Sequence, residues 1–309
     1  MEKNNFKSGF VAIVGETNSG KSTLLNAFLG SKVSIVSAKP HTTRTRILGV
    51  RTKESYQIVF VDTPGFVRKH KKKEMTKFVS RVLDQSAQGV DLVLFIIDVN
   101  PIANGKVALK ELINEYLHLG STAPLIVVIN KIDTIGKSNV LPVIAECHRV
   151  FKDLLGKEVP IVPISALRKD GTADLEKLII SQLPEAEKMF PDDVVSDQAE
   201  EFFSAEIIRE KVFSSLNKEL PYSTAVRIEK WDDGDELIKI YATIFVERDS
   251  QKSIVIGKGG QMLKHIGQAA RLDLEKIYKC KVYLELFVKV EDNWTDSLRG
   301  LQKVGYIEE

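Results

Sequence analysis

Residues 10–30 read FVAIVGETNSGKSTLLNAFLG, and the architecture of the chain follows from them. Phe10, Val11, Ile13 and Val14 make the apolar run of a buried strand, and a helix opens at Lys21, Ser22 and Thr23. Between strand and helix stands Gly15-x-x-x-x-Gly20-Lys21-Ser22, the spacing of a phosphate-cradling loop in its strand-to-helix setting. Gly15 and Gly20 allow a tight turn, so the backbone of Glu16, Thr17, Asn18 and Ser19 can present N–H groups inward as an anion nest. The nest lies at a helix N-terminus, where orphan donors and the helix dipole both favour negative charge. Lys21 is placed to reach the β- and γ-phosphates and Ser22 to ligate Mg²⁺, so a nucleoside triphosphate is the expected ligand.

The bulk composition narrows the setting. A chain of 309 residues with 43% hydrophobic side chains has material for about two packed domains. Its longest apolar stretch, around Val90–Val99, is interrupted by Asp91 and Asp98 and is too short to span a membrane. The opening MEKNNFKSGF has neither the apolar core of a signal peptide nor the Arg/Ser-rich pattern of a transit peptide. Two cysteines, Cys147 and Cys280, make no disulfide framework, which favours a reducing cytosol. A net charge of +2 announces no polyanion partner, so any such partner must be met by local patches.

Downstream of the first helix, the hydroxyl-rich stretch Ser37–Arg46 reads as a mobile loop, followed by strands Ile47–Thr52 and Tyr56–Val61. The second strand runs into Asp62-Thr63-Pro64-Gly65. An aspartate at the end of a buried strand beside a phosphate loop is the usual second Mg²⁺ anchor, and a glycine lets the backbone N–H approach a γ-phosphate. Residues 66–78 carry the basic run Arg68, Lys69, Lys71, Lys72 and Lys73 with His70, a solvated face or a contact for RNA or acidic lipid. Helices over about Met75–Gly89 and Val107–Leu119 alternate with strands Leu92–Val99 and Leu125–Ile129. The latter strand ends at Asn130-Lys131-Ile132-Asp133. An aspartate there can accept from guanine N1–H and its exocyclic amine, a pair of donors adenine lacks, so the site selects guanine strongly. Asn130 is expected to tie this loop to the phosphate loop, and the Lys131 stem to lie over the base. Strand Ile161–Ile164 ends in Ser165-Ala166-Leu167, whose backbone N–H groups are expected near guanine O6, and a helix over about Thr172–Leu183 closes the unit. Strands alternating with helices imply a mostly parallel sheet covered on both faces.

The composition changes at Glu185. Nine acidic side chains fall within 185–210, so 185–198 reads as a linker and Ala199–Asn217 as an amphipathic helix. Strands Ala225–Trp231 and Leu237–Glu247 follow, then Ile254–Lys264 with Gly257-Lys258-Gly259-Gly260, a helix to about Tyr278, and strand Lys281–Val290. That order is the type II KH arrangement, in which a Gly-x-x-Gly loop clamps about four single-stranded nucleotides. Ile256, Gly257, Lys258, Gly259, Gly260 and Lys264 are the expected RNA-binding residues, with Val255, Leu263 and Ile266 supplying groove floor and core. Seven Lys/Arg against two acidic residues in 251–281 suit salt-dependent phosphate contact.

Taken together, these motifs resemble the Era family, bacterial GTPases that join a Ras-like G domain to a C-terminal KH domain. The resemblance rests on GETNSGKSTLLN (15–26), KPHTTRTRI (39–47), DTPG (62–65), NKID (130–133), SAL (165–167), VERDSQKSIVIGKGGQMLKHIG (246–267) and Trp294 with Gly305-Tyr306. It implies an α/β P-loop GTPase domain with a mostly parallel sheet over 1–184, a linker over 185–198, and a smaller α+β type II KH domain over 199–309. It also implies Mg²⁺-dependent hydrolysis of GTP and binding near the 3′ end of 16S rRNA in assembly of the small ribosomal subunit. A cytoplasmic monomer is expected, with peripheral contact at the inner face of the cell membrane. Thr42 or Thr43 is expected to be the switch threonine on Mg²⁺, the register favouring Thr43, so Lys21, Thr43 and Gly65 are the catalytic candidates and Ser22, Thr43 and Asp62 the metal ligands. Phe66, counted with the nucleotide-binding loop, stands where Ras-like proteins carry the glutamine that orients water, which predicts slow intrinsic hydrolysis. The competing reading is an RNA-binding assembly protein that holds GTP without hydrolysing it.

Overall fold

The computed structural model describes residues 6–36, 39, 42–66, 74–105, 107–234 and 236–307, and the basic run at 68–73 lies outside them. The chain divides into two units, one over residues 6–34, 43–66 and 79–197, the other over 198–307 with the described parts of 35–42 and 74–78.

The first unit is built on a six-stranded sheet of order β2-β3-β1-β4-β5-β6. Its strands are β1 (Lys7–Gly15), β2 (Ile47–Lys53), β3 (Tyr56–Asp62), β4 (Leu92–Asp98), β5 (Leu125–Asn130) and β6 (Ile161–Pro163). Only β2 runs antiparallel to its neighbour, as a tight connection to β3 through residues 54–55 requires. Among the described residues the accompanying helices are α1 (Lys21–Leu29), α2 (Glu74–Ser86, its residues from Val79 on in this unit), α3 (Val99–Ala103), α4 (Leu109–Leu117), α5 (Lys137–Leu155) and α6 (Thr172–Gln182). Successive residues of β1 feed opposite cores. Val11 and Ile13 pack with Leu24, Leu25 and Phe28 of α1 and with Leu175 and Ile179 of α6. Ala12 and Val14 pack with Leu112 and Tyr116 of α4 and Phe151 of α5. A strand covered on both faces has no polar alternation, which is why Phe10–Val14 reads as a continuous apolar run.

Two features depart from the sequence-based expectation. Helix α5 fills a stretch to which the sequence reading assigns no element, and it holds Pro142 inside it. The ring falls near the helix start, where one lost hydrogen bond is offset by the burial of Val143, Cys147, Val150 and Phe151. The acidic stretch expected as a linker is tied to the first unit as far as residue 197. Val50 N–H donates to Val195 O at 2.8 Å, Ser196 Oγ to Leu48 O at 2.7 Å, and Gln57 Nε2 to Phe190 O at 2.8 Å. The first two bonds cover the outer edge of the sheet at β2, which would otherwise present open N–H and C=O groups, and the third ties the segment to β3.

The second unit carries a three-stranded sheet of order β7-β8-β9, with β7 (Ala225–Asp232), β8 (Leu237–Val246) and β9 (Lys281–Val290). Strand β8 is antiparallel to β7 and parallel to β9. Helices α7 (Glu200–Ser215), α8 (Asp249–Ile256) and α9 (Gln261–Tyr278) cover one face, and α10 (Leu298–Lys303) follows the sheet. Val212, Leu216, Ile244, Val246, Val255 and Ile266 form one core cluster beneath the helices.

Candidate functional site

The loops at the C-terminal ends of β1, β3 and β5 converge because those strands are parallel and β1 lies between β3 and β4. Gly20 caps α1 with φ 99°, a conformation costly for residues with a Cβ, and a Cβ there would lie 2.2 Å from Asn130 Nδ2. The neighbouring Lys21 is 5% exposed, and its Nζ donates to Gly15 O at 3.1 Å and Glu16 O at 2.8 Å. Burial pulls its pKa down to about 8, against the opposing pull of Asp62.

Asp62 closes β3 with no exposed surface. Its Oδ2 accepts from Ser22 Oγ and from Ser34 Oγ, each at 2.8 Å. Ser22 Oγ also lies 3.0 Å from Thr43 Oγ1. Asp62 Oδ1 is buried with no hydrogen-bond partner among the described residues. Burial raises the carboxyl pKa, while Lys21 and the serine hydroxyls pull it the other way. A buried carboxylate oxygen without a donor is costly unless a cation meets it. Ser22, Thr43 and Asp62 therefore form an all-oxygen set of the kind that suits Mg²⁺. Of the two candidate switch threonines, Thr43 is the one beside Ser22, while Thr42 Oγ1 donates to Lys39 O at 2.8 Å.

Asn130 ends β5 and links two loops. Its Nδ2 donates to Ser19 O at 2.8 Å, and its Oδ1 accepts from Ala166 N–H at 2.9 Å and Lys131 N–H at 2.8 Å. Lys131 Nζ pairs with Asp98 Oδ2 at 2.7 Å, which fixes the stem beside the Asp133 turn. The Arg168 guanidinium stands 3.7 Å from Asp133 Oδ2.

Several predicted site residues take other roles. Thr63 is buried with its Oγ1 donating to Ile13 O at 2.7 Å, so it braces β1. Phe66 turns its ring into the core, 6.0 Å from Phe95, and hands its N–H to Gly15 O at 3.2 Å. Its side chain therefore orients no water, and its apolar bulk explains why. Ser165 N–H goes to Asp170 O and Ala166 N–H to Asn130, so both donors expected at guanine O6 serve the protein here. Gly65 stays close to the phosphate loop, where a Cβ would fall 2.6 Å from Thr17 N. Ser34, Asp98 and Arg168 were missed: they lie far in sequence from the groups they touch and belong to no fixed spacing.

In the second unit α8 ends at Ile256, and Gly257–Gly260 turns the chain into α9. Val255 and Ile266 are core, while Lys258, Gly259 and Lys264 are exposed and Ile256 is half-buried. Ile254, passed over in the sequence, is 56% exposed beside the loop. Arg271 is held by Glu275 at 2.8 Å, whereas Lys252, Lys258 and Lys264 make no ion pair among the described residues.

Comparison with known proteins agrees with this geometry. Residues 10–131 match the 50S ribosome-binding GTPase family and residues 219–295 the KH domain family. The GTPase Era of Geobacter metallireducens is 45% identical over 308 residues, covering 99% of this chain and all of that protein. The chain belongs to the Era family of GTPases. The GTPase Era of Haemophilus influenzae is 41% identical, with 97% of each chain covered. Among solved structures, a single-substitution variant of Aquifex aeolicus Era bound to GDP and AlF4− superposes with a TM-score of 0.90 at 42% identity, covering 97% of this chain and 99% of that one. An Era complex with MgGDPNP and nucleotides 1506–1542 of 16S ribosomal RNA gives the same TM-score, identity and coverage. The Era fold thus spans a GTPase unit and a KH unit in one chain.

Proposed function

We propose that this protein is a GTP-hydrolysing switch whose KH unit binds 16S rRNA near its 3′ end during assembly of the small ribosomal subunit. The observation that carries this reading is the buried Asp62 carboxylate, with one orphaned oxygen beside Ser22, Thr43 and Lys21, in a chain that also bears an exposed Gly-x-x-Gly loop. Ser22, Thr43 and Asp62 would hold Mg²⁺, directly or through water, and the ion would neutralise charge on the β- and γ-phosphates. Residues 15–20 cradle the phosphates with backbone N–H groups. Lys21 loses its two carbonyl partners to the phosphates and stabilises charge developing on them. Gly65 N–H meets the γ-phosphate. Asp133 reads guanine, and Lys131 covers the base. With Phe66 in the core, the protein has no side chain at that position to orient the attacking water, so intrinsic hydrolysis is slow.

In the second unit Gly257–Gly260 approaches the sugar-phosphate chain, with Lys258 and Lys264 adding charge and Ile256 an apolar wall. Residues 1–184 are taken as the GTP-binding domain and 199–309 as the RNA-binding domain. No helix among the described residues is long and apolar enough to cross a membrane, so contact with the inner face of the cell membrane is peripheral in this proposal. The protein is taken as a cytoplasmic monomer. Single-turnover GTP hydrolysis with and without small-subunit RNA tests the core of the reading. Slow turnover accelerated by RNA is expected, and no turnover under either condition overturns it.

A further inference from the structure

The helices of the second unit cover one face of its sheet, and part of the opposite face is bare. Along β9, alternate residues Lys281, Tyr283, Glu285, Phe287 and Lys289 share that outer face. Tyr283 is 46% and Phe287 50% exposed, large values for aromatic side chains in a strand. The parallel register puts Lys239 beside Tyr283 and Tyr241 beside Glu285. The rings of Tyr241 and Tyr283 lie 5.9 Å apart, and Lys230 Nζ stands 5.7 Å from the Tyr241 ring centre.

Charge on this face is unbalanced. Lys239, Lys281 and Lys289 are exposed and have no ion-pair partner among the described residues. Glu285 is the carboxylate among the five alternate residues of β9, and it accepts from Tyr283 Oη at 2.9 Å. Lys230 is held by Asp232 at 2.7 Å. At the far end, Arg227 donates to Lys303 O, so the C-terminal segment covers that part and leaves the Tyr283–Phe287 part open.

We propose that this open sheet face, centred on Tyr283 and Phe287, is a second contact for single-stranded RNA, separate from the Gly257–Gly260 loop. Exposed rings on a sheet offer stacking surfaces to unpaired bases, and every base has a π-face to offer. Four residue steps along the strand set the two rings about 13 Å apart, room for bases that are not stacked on each other. The flanking lysines meet the backbone phosphates, which favours a polyanion over an apolar protein partner. The site would lengthen the RNA footprint beyond what a Gly-x-x-Gly groove grips.

The test uses the full chain, a fluorescent 20-nucleotide oligouridylate, and a background carrying Lys258→Asp and Gly259→Asp. That background is expected to keep residual affinity for the probe. Adding Tyr283→Ala and Phe287→Ala should lower the residue of binding by about tenfold or more while GTP hydrolysis by the free protein stays unchanged. Replacing Lys239, Lys281 and Lys289 by Gln should reduce the slope of log affinity against log salt by about two. In a Phe287→Trp protein, which keeps a ring, the probe should quench the new tryptophan. Absent residual binding in the loop-disabled protein, unchanged affinity in the alanine variant, or no quenching at saturating probe would each overturn the proposal. So would a change in sedimentation alone, which would make the face a protein contact. An unaltered affinity in the loop-disabled protein that then falls with the alanine pair supports the sheet face and counts against the loop.

Discussion

The proposed nucleotide site and the proposed Gly-x-x-Gly contact would both meet phosphate, yet they are built in opposite ways. Around Lys21, Asp62 and Asn130 nearly every polar group is buried and engaged by another part of the protein. Around Lys258 and Lys264 the cations stand in solvent with no ion pair among the described residues. The difference follows from the ligand. A triphosphate with its metal is a compact, dense charge, and a low-dielectric cradle makes each contact strong and selective. RNA is extended, so its affinity is spread over many weak, screened contacts. Single substitutions should therefore be severe in the first region and mild in the second.

The largest effect is expected at Lys21. Lys21→Ala should lower single-turnover GTP hydrolysis by about 100-fold or more, because it removes the ammonium charge that the loop brings to the phosphates beside the metal. Near-normal turnover would show that the cradle does not carry the chemistry. At the base, Asp133→Asn should cost about 100-fold in GTP affinity and turn preference toward xanthosine triphosphate, whose ring accepts where guanine donates. Competition binding of the two nucleotides measures it. Asn130→Ala removes the bonds to Ser19 O and Ala166 N–H and should cost about 2 kcal/mol of GTP binding, read by calorimetry.

Effects in the second unit should be smaller. Lys258→Asp with Gly259→Asp should weaken RNA binding by roughly tenfold at moderate salt and leave GTP hydrolysis by the free protein intact. Filter binding at two salt concentrations checks both the loss and its shallower salt slope. The mildest test compares the units by their cysteines. Cys147 is buried in the first unit with its thiol pKa pushed up to about 12, whereas Cys280 in the second is half-buried. Iodoacetamide at pH 8 should label Cys280 first and reach Cys147 only when the first unit opens. Equal labelling rates would mean that the first core is no better protected.

Fold class was legible in the residues alone, and so were the loops in which the motifs stand. Fixed spacing at 15–22, 62–65, 130–133 and 257–260 encodes local backbone turns, and local turns are legible without tertiary information. Asn130 as the tie to the phosphate loop was legible for the same reason. Partners distant along the chain were not legible in that way. Ser34 on Asp62, the commitment of the Ser165 and Ala166 donors, and the burial of Phe66 all depend on which strands lie side by side. Residues 185–198 read as a linker because acidic composition reports solvation, and no local pattern reveals that Val195 and Ser196 bond β2. The bare face of β9 was likewise invisible, since alternation shows that a strand has two sides but not which of them the helices leave uncovered.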